Sequence, residues 1–305
     1  MPSMSSLRLA AIDIGSNAIR FQVTNVLNYE GQHIFKRLEY VRFPLRLGQD
    51  VFTLKKIGTE KEDKFLRLMH AFKLLIDLYE VDDYYACATS AMREAENGYK
   101  LAEKVNQLLG LKIRIISGDA EAELINKVVL KKLDNENYLH IDVGGGSTEL
   151  NLISNGKKVA SQSFKVGSVR SIEQLGTSDI LEKIDKWVHE NVTGKYKVIT
   201  AIGTGGNINK TYELANKRKI DRILTLKEVL DVQTYVSGFT LDERIHKLQL
   251  NPDRADVIIP ASHIYMHVMK AAKCRKILVP DVGLKDGIMH MLYERNIRDA
   301  EVDFK

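Results

Sequence analysis

Two strand–turn–strand units with an aspartate at the same place constrain this chain more than any other feature. The second reads NYLHIDVGGGSTELNLIS, residues 137–154. Leu139, Ile141 and Val143 alternate with Tyr138, His140 and Asp142, the period-2 pattern of a half-buried strand. Gly144, Gly145, Gly146, Ser147 and Thr148 then form a small-residue turn, and Leu150 and Leu152 carry a return strand. The first unit, LRLAAIDIGSNAIRFQVTNV at 7–26, has the same layout. A strand reaches Ile12-Asp13-Ile14, Gly15-Ser16-Asn17 make the turn, and Phe21 and Val23 lead back. Such an echo describes a chain built as two similar halves.

The turns have a chemistry of their own. Glycine permits φ > 0 and lets another group approach the backbone, so successive N–H groups can converge on an anion. No Lys-Ser/Thr pair follows the glycines, which excludes a Walker loop, and a strand rather than a helix follows the turn, which excludes a dinucleotide fingerprint. What remains is a hairpin cradle with hydroxyl donors and a strand-end Asp able to hold hydrated Mg²⁺. One such turn is equally a plain glycine-rich hairpin. Two with matching aspartates, one per half, describe a cleft that grips a phosphate chain from both sides. A third small-residue turn, AIGTGGN at 201–207, contains Gly205 and follows a strand-like run at 197–202.

Between these units the pattern alternates strand and helix. Phe65, Leu68, Met69, Phe72, Leu75 and Ile76 recur at helical spacing. YYACA reads as a strand, 90–109 as one helix, KIRII as a strand, and the run from Asp119 as a helix with acidic residues in its first turn. Helices are expected near 177–190, 207–217, 227–236, 255–272 and 283–295, with a strand at KILVP. The fold class is α/β, in two domains of mixed sheets flanked by helices: 1–130, and 131–305 from the polar patch KKLDNEN onward, with the final helix free to pack back on the first domain.

Composition narrows the class of protein. Of 305 residues, 44% are hydrophobic and 28% charged, as in ordinary globular chains. The net charge of +5 suits a polyanionic substrate without specifying one. Two cysteines, Cys87 and Cys274, lie too far apart for a metal-ligand motif and read as buried free thiols. The N-terminal apolar run is short and broken by Asp13, so no signal peptide is expected. No stretch approaches the ~20 apolar residues of a membrane span. The expected location is cytoplasmic, with no membrane and no nucleic acid as partner.

The ordered set AAIDIGSNAIRF, ATSAMREAENG, IRIISGDAEAELI, HIDVGGGSTEL, FKVGSVR, AIGTGGN, DRADVIIPA and VPDVGLKDG, over about residues 8–295, resembles the actin, Hsp70 and sugar-kinase superfamily. Within it the chain resembles the exopolyphosphatase / guanosine pentaphosphate phosphohydrolase family, Ppx/GppA. The resemblance implies two actin-like (ribonuclease H-like) domains around a cleft and Mg²⁺-assisted hydrolysis of a terminal phosphoanhydride. It is compatible with a homodimer. Ala18 stands where a serine is common, and Lys285 where an arginine is usual. The family's longer members carry a C-terminal HD-type extension, so a short form is expected, cutting distributively and favouring short polyphosphates.

By the same resemblance Glu121, second of the acidic pair in ISGDAEAEL, is the catalytic glutamate, although Ala120 replaces the first. A carboxylate in a helix's first turn is held ionised by the helix dipole, where it can orient or deprotonate a water. Read alone, Glu121 would be a routine helix stabiliser, the role expected of Glu123. Arg93, in TSAMREA, would hold phosphoryl oxygens bidentately. Gly15, Ser16, Asn17, Gly144–Thr148 and Gly205 would bind phosphate, while Asp13, Asp142 and Glu149 would hold Mg²⁺. His263 and His267, four apart on a helix, lack a third ligand and read as structural. Lys210, Lys217, Arg218 and Lys219 could guide a polyanion or simply form a solvated face. The expected substrate is inorganic polyphosphate, with pppGpp as alternative; a kinase or ATPase, or a non-catalytic phosphate sensor, are the rival classes.

Overall fold

The computed structural model describes residues 6–30, 32–131, 133–170, 177–196, 199–215 and 222–303. The chain divides into two compact units: Met1–Val128 with Leu284–Lys305, and Val129–Gly283. The expected division stood at 130/131, with the final helix free to join the first domain; here the second unit begins at Val129 and the last helix is part of the first unit.

The first unit runs β1 (Leu7–Ile14), β2 (Ile19–Tyr29), β3 (Gln32–Phe43), α1 (Leu47–Leu54), α2 (Thr59–Leu78), β4 (Asp83–Ala88), α3 (Ser90–Glu94), α4 (Gly98–Leu109), β5 (Ile113–Ile115) and α5 (Gly118–Leu130). Its sheet has the order β3-β2-β1-β4-β5. The first three strands form an antiparallel meander, and β4 and β5 add in parallel beside β1. Alternation along β1 and β2 turns Ala10, Ile12, Ile14, Ile19, Phe21 and Val23 to one face. There they meet Phe65, Met69, Phe72 and Ile76, which share a face of α2. Phe21 stacks on Phe72 with ring centroids 4.8 Å apart.

The second unit runs β6 (Tyr138–Val143), β7 (Thr148–Ser154), β8 (Lys157–Phe164), α6 (Thr177–Val188) with a following π-helical turn, β9 (Thr200–Thr204), α7 (Gly206–Leu214), β10 (Ile223–Thr225), α8 (Leu226–Ser237), α9 (Leu241–His246), α10 (Pro252–Ala255), α11 (Ile258–Ala271) and β11 (Lys276–Leu278). Its sheet, β10-β11-β9-β6-β7-β8, repeats the plan of the first: an antiparallel meander β6-β7-β8, with β9 and β11 parallel beside β6. β10 is an added antiparallel edge. The core gathers Leu139, Ile141, Val143, Leu150 and Leu152 from the sheet with Ile264, Tyr265 and Val268 of α11. The chain then returns to the first unit as α12 (Leu284–Asp303). This helix packs on β1, β2 and β4, and Arg295 grips both carboxylate oxygens of Asp83, each at 2.6 Å.

Two expected helices are broken. The run 90–109 splits into α3 and α4 because Ala95 is extended and the Asn97 amide both accepts from and donates to the Ile57 backbone, each at 2.9 Å. The run 255–272 begins earlier, as the separate turn α10, and resumes as α11. Both cysteines are buried free thiols, as expected. No helix among the described residues is long and apolar enough to cross a membrane.

Candidate active site

Both meanders build the same device at the end of their first strand. In the first unit the hairpin closes with Gly15 N–H donating to Ala18 O at 3.2 Å. The segment after β3 then ties the turn from behind, with Gly48 N–H on Ser16 O (2.8 Å) and Arg46 N–H on Asn17 O (2.9 Å). In the second unit Gly144 N–H reaches Ser147 O at 2.9 Å. The segment after β8 supplies the clamp: Ser168 N–H on Gly144 O (2.9 Å), Val169 and Arg170 N–H on Gly145 O (2.8 and 3.0 Å), and Arg170 Nε on Gly146 O (2.8 Å). Gly167 makes that approach possible, since a Cβ there would lie 2.6 Å from Gly145 C and 2.7 Å from Gly146 N. In every one of these clamping bonds the turn supplies the carbonyl, so none of its N–H groups is used in them. That is the polarity an anion cradle needs.

The strand-end aspartates differ in their partners. Asp13 faces Arg20 across β1 and β2, with Oδ2 2.7 Å from Nη1. Asp142 faces Glu149 across β6 and β7, and both are buried, 8% and 3% exposed. Glu149 Oε1 accepts from Ser163 Oγ of β8 at 2.8 Å. Two carboxylates in register on adjacent strands offer hard oxygen donors of the kind Mg²⁺ takes. Among the described residues no group of three or more His, Cys, Asp or Glu could enclose a metal. An ion held by this pair would therefore keep water or phosphate oxygens as its other ligands, the usual habit of Mg²⁺.

Glu121 lies in the first turn of α5, where Ser117 Oγ accepts from Ala120 N–H at 3.2 Å and Ser117 O from Glu121 N–H at 3.0 Å. The Cys87 thiol is pushed well up, first by burial and then by the negative charges of Asp13 and Glu121. Cys87 sits opposite Asp13 in the β1–β4 pairing, so the structure brings Asp13 and Glu121 to one neighbourhood. Arg93 joins them through the backbone: its Nη1 donates to Ile116 O, just ahead of α5, at 2.6 Å. Its helix starts against the first turn, where Ser16 Oγ and Ser90 Oγ are 2.8 Å apart and Thr89 N–H meets Ile14 O at 3.1 Å.

Gly205 follows β9 with φ +108°, and a Cβ there would stand 3.4 Å from Asp142 Oδ1. Thr148 departs from its expected role. It is fully buried, and its hydroxyl donates to Val166 O at 2.7 Å, so it secures the clamp rather than offering a donor to an anion. Lys210 pairs with Glu213 at 2.9 Å, whereas Lys217, Arg218 and Lys219 lie outside the described residues. His263 and His267 part company: one meets Gln233 at 2.7 Å, the other Asp185 at 2.8 Å.

Sequence reasoning missed Arg20, Arg170, His140 and Tyr265. Arg20 was findable by counting outward from the turn, since the pairing that sets Asp142 on Glu149 sets Asp13 on Arg20. His140 is fully buried between Thr204 Oγ1 (2.8 Å) and Asn151 Nδ2 (3.4 Å), and burial lowers it to about 4.

A duplicated meander-and-crossover sheet, with a clamped small-residue turn and a carboxylate at each first strand's end, defines the actin-like class of folds. Within that class, the Ppx/GppA phosphatase family matches residues 26–295, and the chain belongs to it. It is 29% identical over 286 residues to a bifunctional 3-dehydroquinate synthase/phosphatase of Fusobacterium nucleatum, covering 85% of this chain and 43% of that one. It is 23% identical to a guanosine-5'-triphosphate,3'-diphosphate pyrophosphatase of Pseudoalteromonas translucida, covering 96% of this chain and 62% of the relative. The chain thus spans about half the length of the curated relatives it matches. Among solved structures, an exopolyphosphatase from Cytophaga hutchinsonii superposes with TM-score 0.80 at 24% identity, covering 94% of this chain and 98% of that one. The Aquifex aeolicus Ppx/GppA family member gives 0.73 at 23%, covering 95% and 99%. These likenesses establish the fold.

Proposed function

We propose that this chain is a phosphoanhydride hydrolase that removes the terminal phosphate of inorganic polyphosphate. The observation that carries this reading is the clamped turn Gly144–Ser147, whose carbonyls are tied from behind beside the facing carboxylates of Asp142 and Glu149. A polyanion and its counter-cation are the ligands such a pairing suits. In the proposed reaction Glu121 takes a proton from a water whose oxygen bonds to the terminal phosphorus, while the bridging P–O bond breaks and the shortened chain leaves. Arg93 offsets charge on the phosphoryl oxygens with the guanidinium edge not used on Ile116. The turn N–H groups beyond those that close the hairpins, Ser16 and Asn17 in the first unit and Gly145–Ser147 with Gly205 in the second, would hold phosphate oxygens. Asp142 and Glu149 would hold Mg²⁺, which when bound supplies positive charge against the phosphates. Asp13, in the first unit, is already balanced by Arg20 and is less suited than the Asp142–Glu149 pair to hold the ion.

The second reading, removal of the 5′-terminal phosphate of pppGpp, draws on the names of the guanosine-5'-triphosphate,3'-diphosphate pyrophosphatases among the relatives. Phosphate release measured side by side from polyphosphates of several lengths, pppGpp and ATP, with and without Mg²⁺, tests both. Release from polyphosphate alone supports the first reading, release from pppGpp alone the second, and turnover of ATP alone would overturn both.

A further inference from the structure

The two units close their first-strand ends differently, and the difference centres on Tyr265. In the first unit the parallel pairing of β1 and β4 runs through Asp13–Cys87 to Ile14–Ala88, and Thr89 N–H then bonds Ile14 O directly. In the second unit the matching pairing of β6 and β9 ends at Asp142–Thr204, one pair earlier. Where the next pair would stand, the Tyr265 hydroxyl accepts from Val143 N–H at 3.3 Å and donates to Thr204 O. A phenolic oxygen from α11 is thus inserted between an amide and a carbonyl of neighbouring strands.

The insertion lies between the two turns that matter. Val143 N–H belongs to the peptide joining Asp142 to the 144–148 turn, and Thr204 O to the peptide entering Gly205. A Cβ on Gly205 would lie 3.5 Å from the Tyr265 hydroxyl and 3.2 Å from Val143 O. Tyr265 is 1% exposed, and its ring is packed in the core with Leu139, Ile141 and Val143, so the hydroxyl stands on a rigid base. The phenol stays protonated: burial first, then the charge of Asp142, pushes it well above its ordinary range, which keeps its donor for Thr204 O. His140 Nε2 pins the same Thr204 through its side chain.

We propose that Tyr265 is a positioning residue, a spacer that holds the ends of β6 and β9 apart and so sets the distance between the Gly144–Thr148 turn and Gly205 at which a phosphate is gripped. The proposal rests on the phosphate-hydrolase reading above. Tyr265→Phe keeps the ring and removes only the spacer's bonds. The expected result is a KM for tripolyphosphate raised roughly 5–10-fold with kcat changed by less than about twofold, because the turns bind ground and transition states alike. Calorimetric binding of pyrophosphate should weaken by a similar factor. A folded Tyr265→Phe protein with wild-type KM and pyrophosphate affinity overturns the spacer. If that variant does not fold, difluorotyrosine at position 265 keeps the shape and weakens the hydroxyl as an acceptor for Val143 N–H. A raised KM then supports the proposal and an unchanged KM overturns it. Wild-type protein that neither cleaves nor binds either phosphate would overturn the hydrolase reading and the spacer with it.

Discussion

Adding one methyl group at Gly167 should loosen the glycine turn of the second unit without touching any polar side chain. The new Cβ would meet three backbone atoms, Gly145 C, Gly145 O and Gly146 N, at 2.6, 2.7 and 2.7 Å. Relief requires the segments to separate by roughly 1 Å, since ordinary carbon contacts lie near 3.5–4.0 Å. The clamping bonds now at 2.8–3.0 Å would then pass the usual N–H···O limit of about 3.2 Å. Losing part of four such bonds, at about 0.5–1.5 kcal/mol each, together with overpacking, makes about 3 kcal/mol a fair expectation. For a unit of this size that lowers Tm by roughly 6–12 °C. Calorimetry of Gly167→Ala reads the shift. Gly283→Ala, where a Cβ meets nothing within 4 Å, serves as the thermal control. Tripolyphosphate hydrolysis should show a raised KM alongside. A Gly167→Ala protein that melts with the wild type and keeps its KM would refute the clamp as the support of the turn.

Three other outcomes are expected. Glu121→Gln should lower kcat by ~10²–10⁴ while tripolyphosphate still binds, and near-normal turnover would remove Glu121 from the proposed mechanism. Asp142→Asn should raise the Mg²⁺ concentration needed for half-maximal phosphate release; a wild-type Mg²⁺ curve would mean that the carboxylate pair does not hold the ion. His140, lowered to about 4 from 6.5, is neutral when folded. Between these values the unfolded chain binds the extra proton, so its contribution is fully present above pH 6.5 and is lost as pH falls toward 4. The loss amounts to roughly 3 kcal/mol in all. Urea melts at pH 7 and pH 5 should show a steeper acid loss than in His140→Gln, and parallel losses would show that His140 protonates freely in the fold.

The hairpins were legible because a strand's period of two and a turn of small residues are local signals, and Asp13 and Asp142 come with them. Glu149 could be placed opposite Asp142 by counting back from the turn. Other features depend on partners that local patterns do not reveal. Asn97 breaks a helix-like run because its amide is committed to Ile57. The buried destination of the Thr148 hydroxyl is a carbonyl on the segment after β8. Tyr265 looks like any core aromatic on an apolar helix, since its function lies in where one oxygen arrives. Helical periodicity likewise marked 283–295 as a helix without saying which sheet it joins.

The return of α12 to the first unit has a consequence for how the chain comes off the ribosome. Strands β1, β2 and β4 are made early, but the helix that covers them, with Arg295 reaching Asp83, is made after the whole second unit. At ~5–20 residues per second, residues 129–283 take about 8–30 s to synthesise. During that interval the early sheet waits with one side uncovered, while the second unit already has its contiguous sequence and can complete itself. The unit that begins the chain is thus the last to be finished, and its exposed sheet is the surface a nascent-chain chaperone would have reason to shield.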